Sequence, residues 1–145
     1  YNITNKDIVN SLRKFNKVLK KKGILIIETF NPISFLQKLK FEGSFFLEKE
    51  ESFNELDLKS KIAHQVNEKK QTMTETKIFY NLKNREKIKK NSTEYRLIFP
   101  QEISFFLEQH GFKLLDMFGK YRKTYKNLDR TRLITVSQKI KNFIS

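Results

Sequence analysis

The strongest indication of the fold of this chain is the segment Lys20-Lys21-Lys22-Gly23-Ile24-Leu25-Ile26-Ile27-Glu28-Thr29-Phe30. Ile24 to Phe30 is a largely apolar run of strand length that begins directly after a glycine and ends at Asn31-Pro32. Such a run is typical of a central parallel strand whose two faces are both covered by helices. The sequence therefore predicts an α/β sheet, and we expect ligands at the carboxyl edge of this strand.

The segment before the strand predicts an amphipathic helix. Thr4 and Asp7 have the spacing of a capping box. Gly23 is expected to end the helix at its C′ position, which places Lys20 to Lys22 in the last turn, beside the negative end of the helix dipole. The expected apolar face consists of Ile8, Leu12, Phe15, Val18 and Leu19.

The end of the chain returns to the same pattern of helix and strand. Pro100 is predicted at the first position of a helix that buries Ile103, Phe106 and Leu107, with Phe105 as a further contact, and that closes at His110-Gly111. We expect the two following strands to share a sheet with the first, the last one antiparallel to the other two. The three predicted strands are Ile24–Phe30, Phe112–Phe118 and Arg132–Val136.

The middle of the chain has a different pattern. Apolar and polar residues alternate there, which favours an antiparallel sheet with one solvated face. We expect a turn at residues 67–71 and a mobile, lysine-rich turn from Asn84 to Asn91. The predicted strands are Ser44–Leu47, Leu58–Val66, Thr72–Leu82 and Thr93–Phe99.

Composition restricts the kind of site. The chain has 145 residues and no cysteine, so it contains no disulfide, thiolate metal site or cysteine nucleophile. No apolar run reaches membrane-spanning length and the start is not a signal peptide, so we expect a cytoplasmic protein without a membrane partner. The net charge is +14, carried mainly by lysine. Because nucleic-acid sites favour arginine, we interpret this excess as codon bias and consider nucleic acid an unlikely partner.

The positions of the glycines indicate that the nucleotide-binding part of such a fold is missing from this sequence. The chain has four, Gly23, Gly43, Gly111 and Gly119, which lie too far apart to form a phosphate-binding loop. We therefore expect the residues that hold a nucleotide to lie before Tyr1 in a longer polypeptide, or on another chain.

Two stretches carry a resemblance to a known family. Thr4-Asn5-Lys6-Asp7 through Leu19-Lys20-Lys21-Lys22-Gly23-Ile24-Leu25-Ile26-Ile27-Glu28 resembles the helix, turn and fifth strand of class I S-adenosylmethionine-dependent methyltransferases. Tyr95-Arg96-Leu97-Ile98-Phe99-Pro100-Gln101-Glu102-Ile103, with Leu107-Glu108-Gln109-His110-Gly111-Phe112, resembles the run into their sixth strand. The tail from Arg132 to Lys139 resembles the seventh strand, which in this family lies antiparallel between the fifth and sixth.

The resemblance implies the C-terminal half of a doubly wound, Rossmann-like methyltransferase sheet. Residues 1–43 and 100–145 would form this partial core, and residues 44–99 resemble the antiparallel β lid inserted in small-molecule N-methyltransferases. The implied cofactor is S-adenosylmethionine and the implied substrate a small-molecule methyl acceptor. Because the glycine loop and the ribose-binding acid are absent, we expect this chain alone to bind the cofactor weakly, and to pair with an N-terminal half or form a homodimer.

The resemblance also suggests site residues, each with an alternative reading. Tyr1, Phe30 and Asn31 fall where the family contacts its cofactor. Tyr1 is alternatively a frayed terminus. Asn31 is either a ligand for cofactor or substrate, or the first residue of an Asx turn before Pro32.

The candidate substrate contacts are Pro32, His64, Tyr95, Arg96 and Tyr121. Arg96 either binds a substrate anion or forms a surface ion pair. His64 is either a general base or a solvent-facing strand residue. Tyr121 is expected to close over the substrate from the last loop.

Three functions remain open at this point. The first is the substrate and lid half of a methyltransferase, whose chemistry needs alignment and exclusion of water more than a catalytic triad. The second is a non-catalytic partner subunit or remnant with the same fold. The third is part of an RNA methyltransferase.

Overall fold

The computed structural model describes residues 4–34, 36–37, 46–53, 56–121, 128 and 132–143. The chain divides into two compact units. The helix–strand unit contains Asn2–Gln37 and Leu97–Ser145, and the strand unit contains Lys38–Arg96. Within the described residues, no helix has both the length and the apolar character needed to cross a membrane.

The helix–strand unit has a three-stranded sheet in the order β1-β7-β6. Its strands are β1 (Ile24–Phe30), β6 (Phe112–Phe118) and β7 (Arg132–Lys139). β7 is antiparallel to both neighbours, with Ile26 opposite Val136 and Phe118 opposite Ile134. β1 and β6 are therefore parallel to each other. The predicted sheet and its strand directions are confirmed.

The helices α1 (Asn5–Val18) and α2 (Pro100–Gln109) belong to this unit. The predicted capping box of α1 is present, because the Thr4 side chain accepts from Asp7 N and the Asp7 carboxylate accepts from Thr4 N at 2.9 Å. Pro100 begins α2 and His110 ends it, as predicted. Both helices and the sheet contribute to one apolar core, formed by Ile8, Leu12, Leu25, Ile98, Ile103, Phe106, Leu107, Phe112 and Leu133.

The predicted end of α1 is wrong. The helix ends at Val18 with an extended C-cap at Leu19, so Lys20 to Lys22 lie beyond it and Lys17 is the basic residue of its last turn. Lys22, with φ 66°, adopts the left-handed conformation that was expected at Gly23. Gly23 is needed for space instead, because a Cβ there would lie 2.8 Å from the Lys20 carbonyl oxygen.

Two of the predicted apolar faces are also only partly buried. Val18 is 76% exposed, and Phe105 of α2 is 59% exposed. On β1, Leu25 is buried, but Ile24 and Ile26 are 46% and 60% exposed. The prediction that both faces of this strand are covered is therefore wrong for the described chain.

The strand unit is a four-stranded antiparallel sheet in the order β2-β3-β4-β5. The strands are β2 (Phe46–Phe53), β3 (Leu56–Asn67), β4 (Thr72–Asn81) and β5 (Lys87–Arg96). The predicted separate antiparallel sheet is confirmed. Three details are wrong. β2 runs on to Phe53 instead of ending at Leu47, and the start predicted for it at Ser44 lies outside the described residues. β5 begins at Lys87, so five of the eight residues of the expected mobile turn lie in a strand, and residues 97–99 follow that strand rather than belong to it. The expected roles of the two units as core and lid remain predictions.

Candidate functional site

The carboxyl edge of β1 is where open α/β sheets bind their ligands. Asn31 lies there, fully buried, and its Oδ1 accepts from Ile33 N at 3.2 Å, which forms the Asx turn given above as the alternative reading. Its Nδ2 donates to the Leu128 carbonyl oxygen. Pro32 is buried and Phe30 half-buried. Asn31 thus uses both ends of its amide to shape the edge of the sheet.

Three side chains form a polar cluster beside this edge. The Tyr121 hydroxyl donates to Glu28 Oε2, and Arg132 Nη1 lies 3.3 Å from Glu28 Oε1. The Arg132 guanidinium also lies 5.9 Å from the centre of the Tyr121 ring. Arg132 is opposite Phe30 in the β1–β7 register. The cluster therefore joins the loop after β6 to the ligand-binding edge predicted for β1.

The electrostatics of this cluster act on Tyr121. The hydrogen bond to Glu28 is the largest cause of a raised Tyr121 pKa, since ionising the phenol would remove the donated proton and place two anions side by side. Desolvation and the Glu28 charge raise this pKa further, while Arg132 lowers it. A phenol of ordinary pKa is already neutral at physiological pH, and the contact with Glu28 extends the pH range over which Tyr121 stays a hydrogen-bond donor.

Tyr121 was predicted from the sequence as a substrate contact, but Glu28 and Arg132 were not among the predicted site residues. The signal for Glu28 was a carboxylate within an otherwise apolar strand, two residues before its end. Arg132 carried no comparable signal, since only the register of β1 and β7 brings it to Glu28.

The strand unit contains a second polar cluster. His64 Nε2 lies 3.0 Å from Glu75 Oε2, and Lys77 Nζ lies 3.4 Å from Glu75 Oε1. The His64 and Glu75 side chains are only 9% and 16% exposed. The reading of His64 as a solvent-facing strand residue is therefore wrong. Glu75, which fixes the position of the imidazole, was not among the candidates.

Tyr95 and Arg96 lie on opposite faces of the strand sheet. Tyr95 is opposite Met73, which is opposite Val66, so it shares its face with His64 and Glu75. Arg96 lies on the other face, where its Nη1 donates to the Lys70 carbonyl oxygen at 2.8 Å and more weakly to that of Gln71. This contact anchors the β3–β4 turn. Tyr1 lies outside the described residues.

Among the described residues, no group of three or more His, Asp or Glu side chains is placed to hold a metal ion. The two polar clusters consist of a phenol hydrogen-bonded to a carboxylate and an imidazole beside a carboxylate.

Comparisons with known proteins give similarity in structure and none in sequence. No family model and no curated protein matches the sequence. Solved structures do match. The CcbJ methyltransferase of Streptomyces caelestis has a TM-score of 0.74 at 11% identity, over 94% of this chain and 55% of its own.

Two other solved structures agree with it. An S-adenosylmethionine-dependent methyltransferase of Clostridium acetobutylicum has a TM-score of 0.72 at 12% identity, over 94% of this chain and 52% of its own. An amino pentose methyltransferase of Micromonospora echinaspora, solved with S-adenosylmethionine bound, has a TM-score of 0.67 at 10% identity and the same coverage.

The length of the match is as informative as its quality. Nearly all of this chain is matched, but it spans only about half the length of these proteins. At these identities the similarity concerns the fold alone. The chain therefore has a class I methyltransferase-like α/β fold.

Proposed function

We propose that this chain is the C-terminal, substrate-binding half of an S-adenosylmethionine-dependent methyltransferase that acts on a small molecule. The observation that carries the proposal is the strand order β1-β7-β6, in which an antiparallel strand lies between two parallel ones. A second observation supports it. Three methyltransferase structures match this chain with TM-scores of 0.67–0.74, and the match spans only 52–55% of their length.

The open side of the sheet supports the proposal. Within the described residues, β1 forms strand pairs with β7 alone, so it is the edge strand of the described sheet. On the sheet face away from the core, Ile24 and Ile26 are largely exposed. A further strand and helix would cover this edge and the apolar face beside it, and about half of each neighbour's chain lies outside the match.

The described residues do not form a complete site for S-adenosylmethionine. Asn31 is fully buried and its amide is used inside the chain, which leaves Phe30 as the only described cofactor candidate. The sequence contains no glycine-rich loop to bring backbone N–H groups to the cofactor. The cofactor would therefore be held mainly by residues outside this chain.

The residues of this chain would serve the methyl acceptor. Tyr121, held neutral on Glu28, offers an aromatic ring at the carboxyl edge of the sheet. In the strand unit, His64 supported by Glu75 offers a nitrogen base, with Tyr95 on the same face. Each cluster by itself offers groups that could bind and orient an acceptor, which is the main requirement of methyl transfer.

The test compares the isolated chain with the longer polypeptide read in frame from upstream of Tyr1. We expect that polypeptide to contain a glycine-rich loop, to bind S-adenosylmethionine and to transfer a radiolabelled methyl group to a member of a panel of amines and amino sugars. The isolated chain should bind at least about a hundredfold more weakly, because it lacks two or more charged hydrogen bonds.

Two outcomes would contradict the proposal. One is an upstream sequence without such a loop, or a longer polypeptide that neither binds the cofactor nor transfers a methyl group. The other is tight cofactor binding by the isolated chain. Cofactor binding without transfer to any acceptor would instead favour the non-catalytic partner subunit.

A further inference from the structure

The strand unit contains a cavity at the end where β4 turns into β5. The cavity has a volume of about 540 Å³, within the range of small-molecule pockets. It is lined by Lys59, Lys61, Tyr80, Asn81, Leu82 and Arg85. None of these lining residues belongs to the proposed methyltransferase site.

The sheet gathers the cationic and aromatic side chains of this pocket. Lys59 and Lys61 are two residues apart on β3 and therefore share a face. Lys59 lies directly opposite Tyr80 on β4. The Lys61 ammonium lies 5.9 Å from the centre of the Tyr80 ring, which keeps its charge beside an aromatic surface.

The turn between β4 and β5 adds the third cation. Asn81 Oδ1 accepts from Lys83 N at 2.8 Å, and Arg85 N donates to the Asn81 carbonyl oxygen at 2.9 Å. Arg85 has a φ of 58°, a left-handed conformation that these contacts hold in place. The turn is therefore defined by the Asn81 side chain and backbone rather than by a glycine.

The charges around the pocket favour an anion. The three charged side chains that line the pocket, Lys59, Lys61 and Arg85, are all basic. The strand register places Glu50 opposite Lys59 and Glu48 opposite Lys61, and Glu86 lies in the turn, where it accepts from Asn84 Nδ2. These acids are outnumbered, because Lys83 lies in the same turn and Lys87 opposite Tyr80.

We propose that this pocket binds a small molecule with two or more phosphate or carboxylate groups. Lys59, Lys61 and Arg85 pair with the anionic groups, and Arg85 offers the planar fork that suits both. The Tyr80 ring supports a flat part of the ligand. The volume and the aromatic wall favour a compact ligand over an extended polymer, which would need a groove rather than a pocket.

The test is titration calorimetry of the 145-residue chain with pyrophosphate and, separately, with citrate. We expect saturable one-to-one binding that weakens as salt is raised. The stronger of the two probes then identifies the anionic group. Lys61→Gln and Arg85→Gln should each weaken binding at least about fivefold, and the pair together more.

Lys69→Gln is the matched control, because Lys69 is an exposed lysine in the β3–β4 turn at the other end of β4. Circular dichroism melts identify any variant that fails to fold, and Tyr80→Phe, which keeps the ring, should retain most of the binding. Three results would overturn the proposal: no saturable binding of either anion, equal weakening by Lys69→Gln, or much tighter binding of a single-stranded RNA than of either probe. No cofactor is present in these titrations, so their result is independent of the proposed methyl transfer.

Discussion

The Asn16 side chain of α1 donates to the His110 carbonyl oxygen at the end of α2, at 2.9 Å, across 94 positions of sequence. The same Nδ2 donates to the Lys141 carbonyl oxygen at 3.0 Å, and the Oδ1 accepts from Phe143 N at 3.0 Å. Asn16 is only 2% exposed. One buried amide thus joins both helices to the segment after β7.

Asn16→Leu should destabilise the fold strongly. The substitution removes the hydrogen-bond partner of the His110 and Lys141 carbonyl groups and of the Phe143 N–H. We expect it to lower the free energy of unfolding by roughly 2–4 kcal/mol. Urea denaturation measures the change. Asn10→Leu is the control, because Asn10 is exposed on the same helix. Equal stability of the two variants would mean that the network contributes little.

Gly111→Ala should be more damaging than Gly23→Ala. Gly111 has a φ of 81°, and an added Cβ would lie 2.5 Å from the Lys141 carbonyl oxygen and 2.8 Å from Asn16 Nδ2. Backbone strain alone costs about 1–2 kcal/mol, to which the steric contact adds. Gly23 has no such φ, and an added Cβ there would meet one backbone atom under 3 Å, the Lys20 carbonyl oxygen at 2.8 Å. Thermal melts of the two variants should differ in this order, and the reverse order would contradict it.

Tyr121 should titrate above the usual phenol pKa of 10.0. Glu28→Gln should lower this pKa, because the carboxylate acceptor is lost, whereas Arg132→Met should raise it, because a nearby cation is lost. Ultraviolet difference titration follows the phenolate, and Tyr121→Phe identifies its signal. A shift in the same direction for both variants would contradict the described cluster.

The raised pKa of Tyr121 also determines how the free energy of unfolding changes with pH. Because the folded-state pKa of Tyr121 is raised, its contribution is fully present below pH 10.0 and is lost as the pH rises through the folded-state value. The stability difference between the natural chain and Tyr121→Phe should therefore shrink as the pH rises through the alkaline range. A difference that stays constant across that range would contradict this assignment.

Ile26→Lys distinguishes the isolated chain from the proposed longer polypeptide. Ile26 is 60% exposed, so the substitution should change the stability of the isolated chain by less than about 0.5 kcal/mol and improve its solubility. Leu25→Lys, on the buried face, should cost at least about 3 kcal/mol. In the longer polypeptide both substitutions should destabilise. An unaffected longer polypeptide would mean that nothing covers this face of β1.

The sequence alone determined the features that depend on neighbouring residues or on periodicity. The capping box of Thr4 and Asp7, the start of α2 at Pro100 and the three strands of the main sheet were predicted because caps, proline and apolar runs act locally. The antiparallel strand unit followed in the same way from alternation of polar and apolar residues. The candidates Tyr121 and His64 were found, but without their carboxylate partners.

The tertiary structure decided the features that depend on distant partners. α1 ends at Val18, before Gly23. At this helix end the buried Lys139 ammonium of β7 donates to the carbonyl oxygens of Asn16 at 2.5 Å and Leu19 at 2.8 Å. These contacts satisfy groups at the helix end that no sequence-local cap supplies. Likewise, the pairing of Glu28 with Arg132 requires the β1–β7 register, and the exposure of Ile26 depends on what covers the sheet. Local sequence encodes backbone preference, whereas burial and charge pairing arise only when remote segments meet.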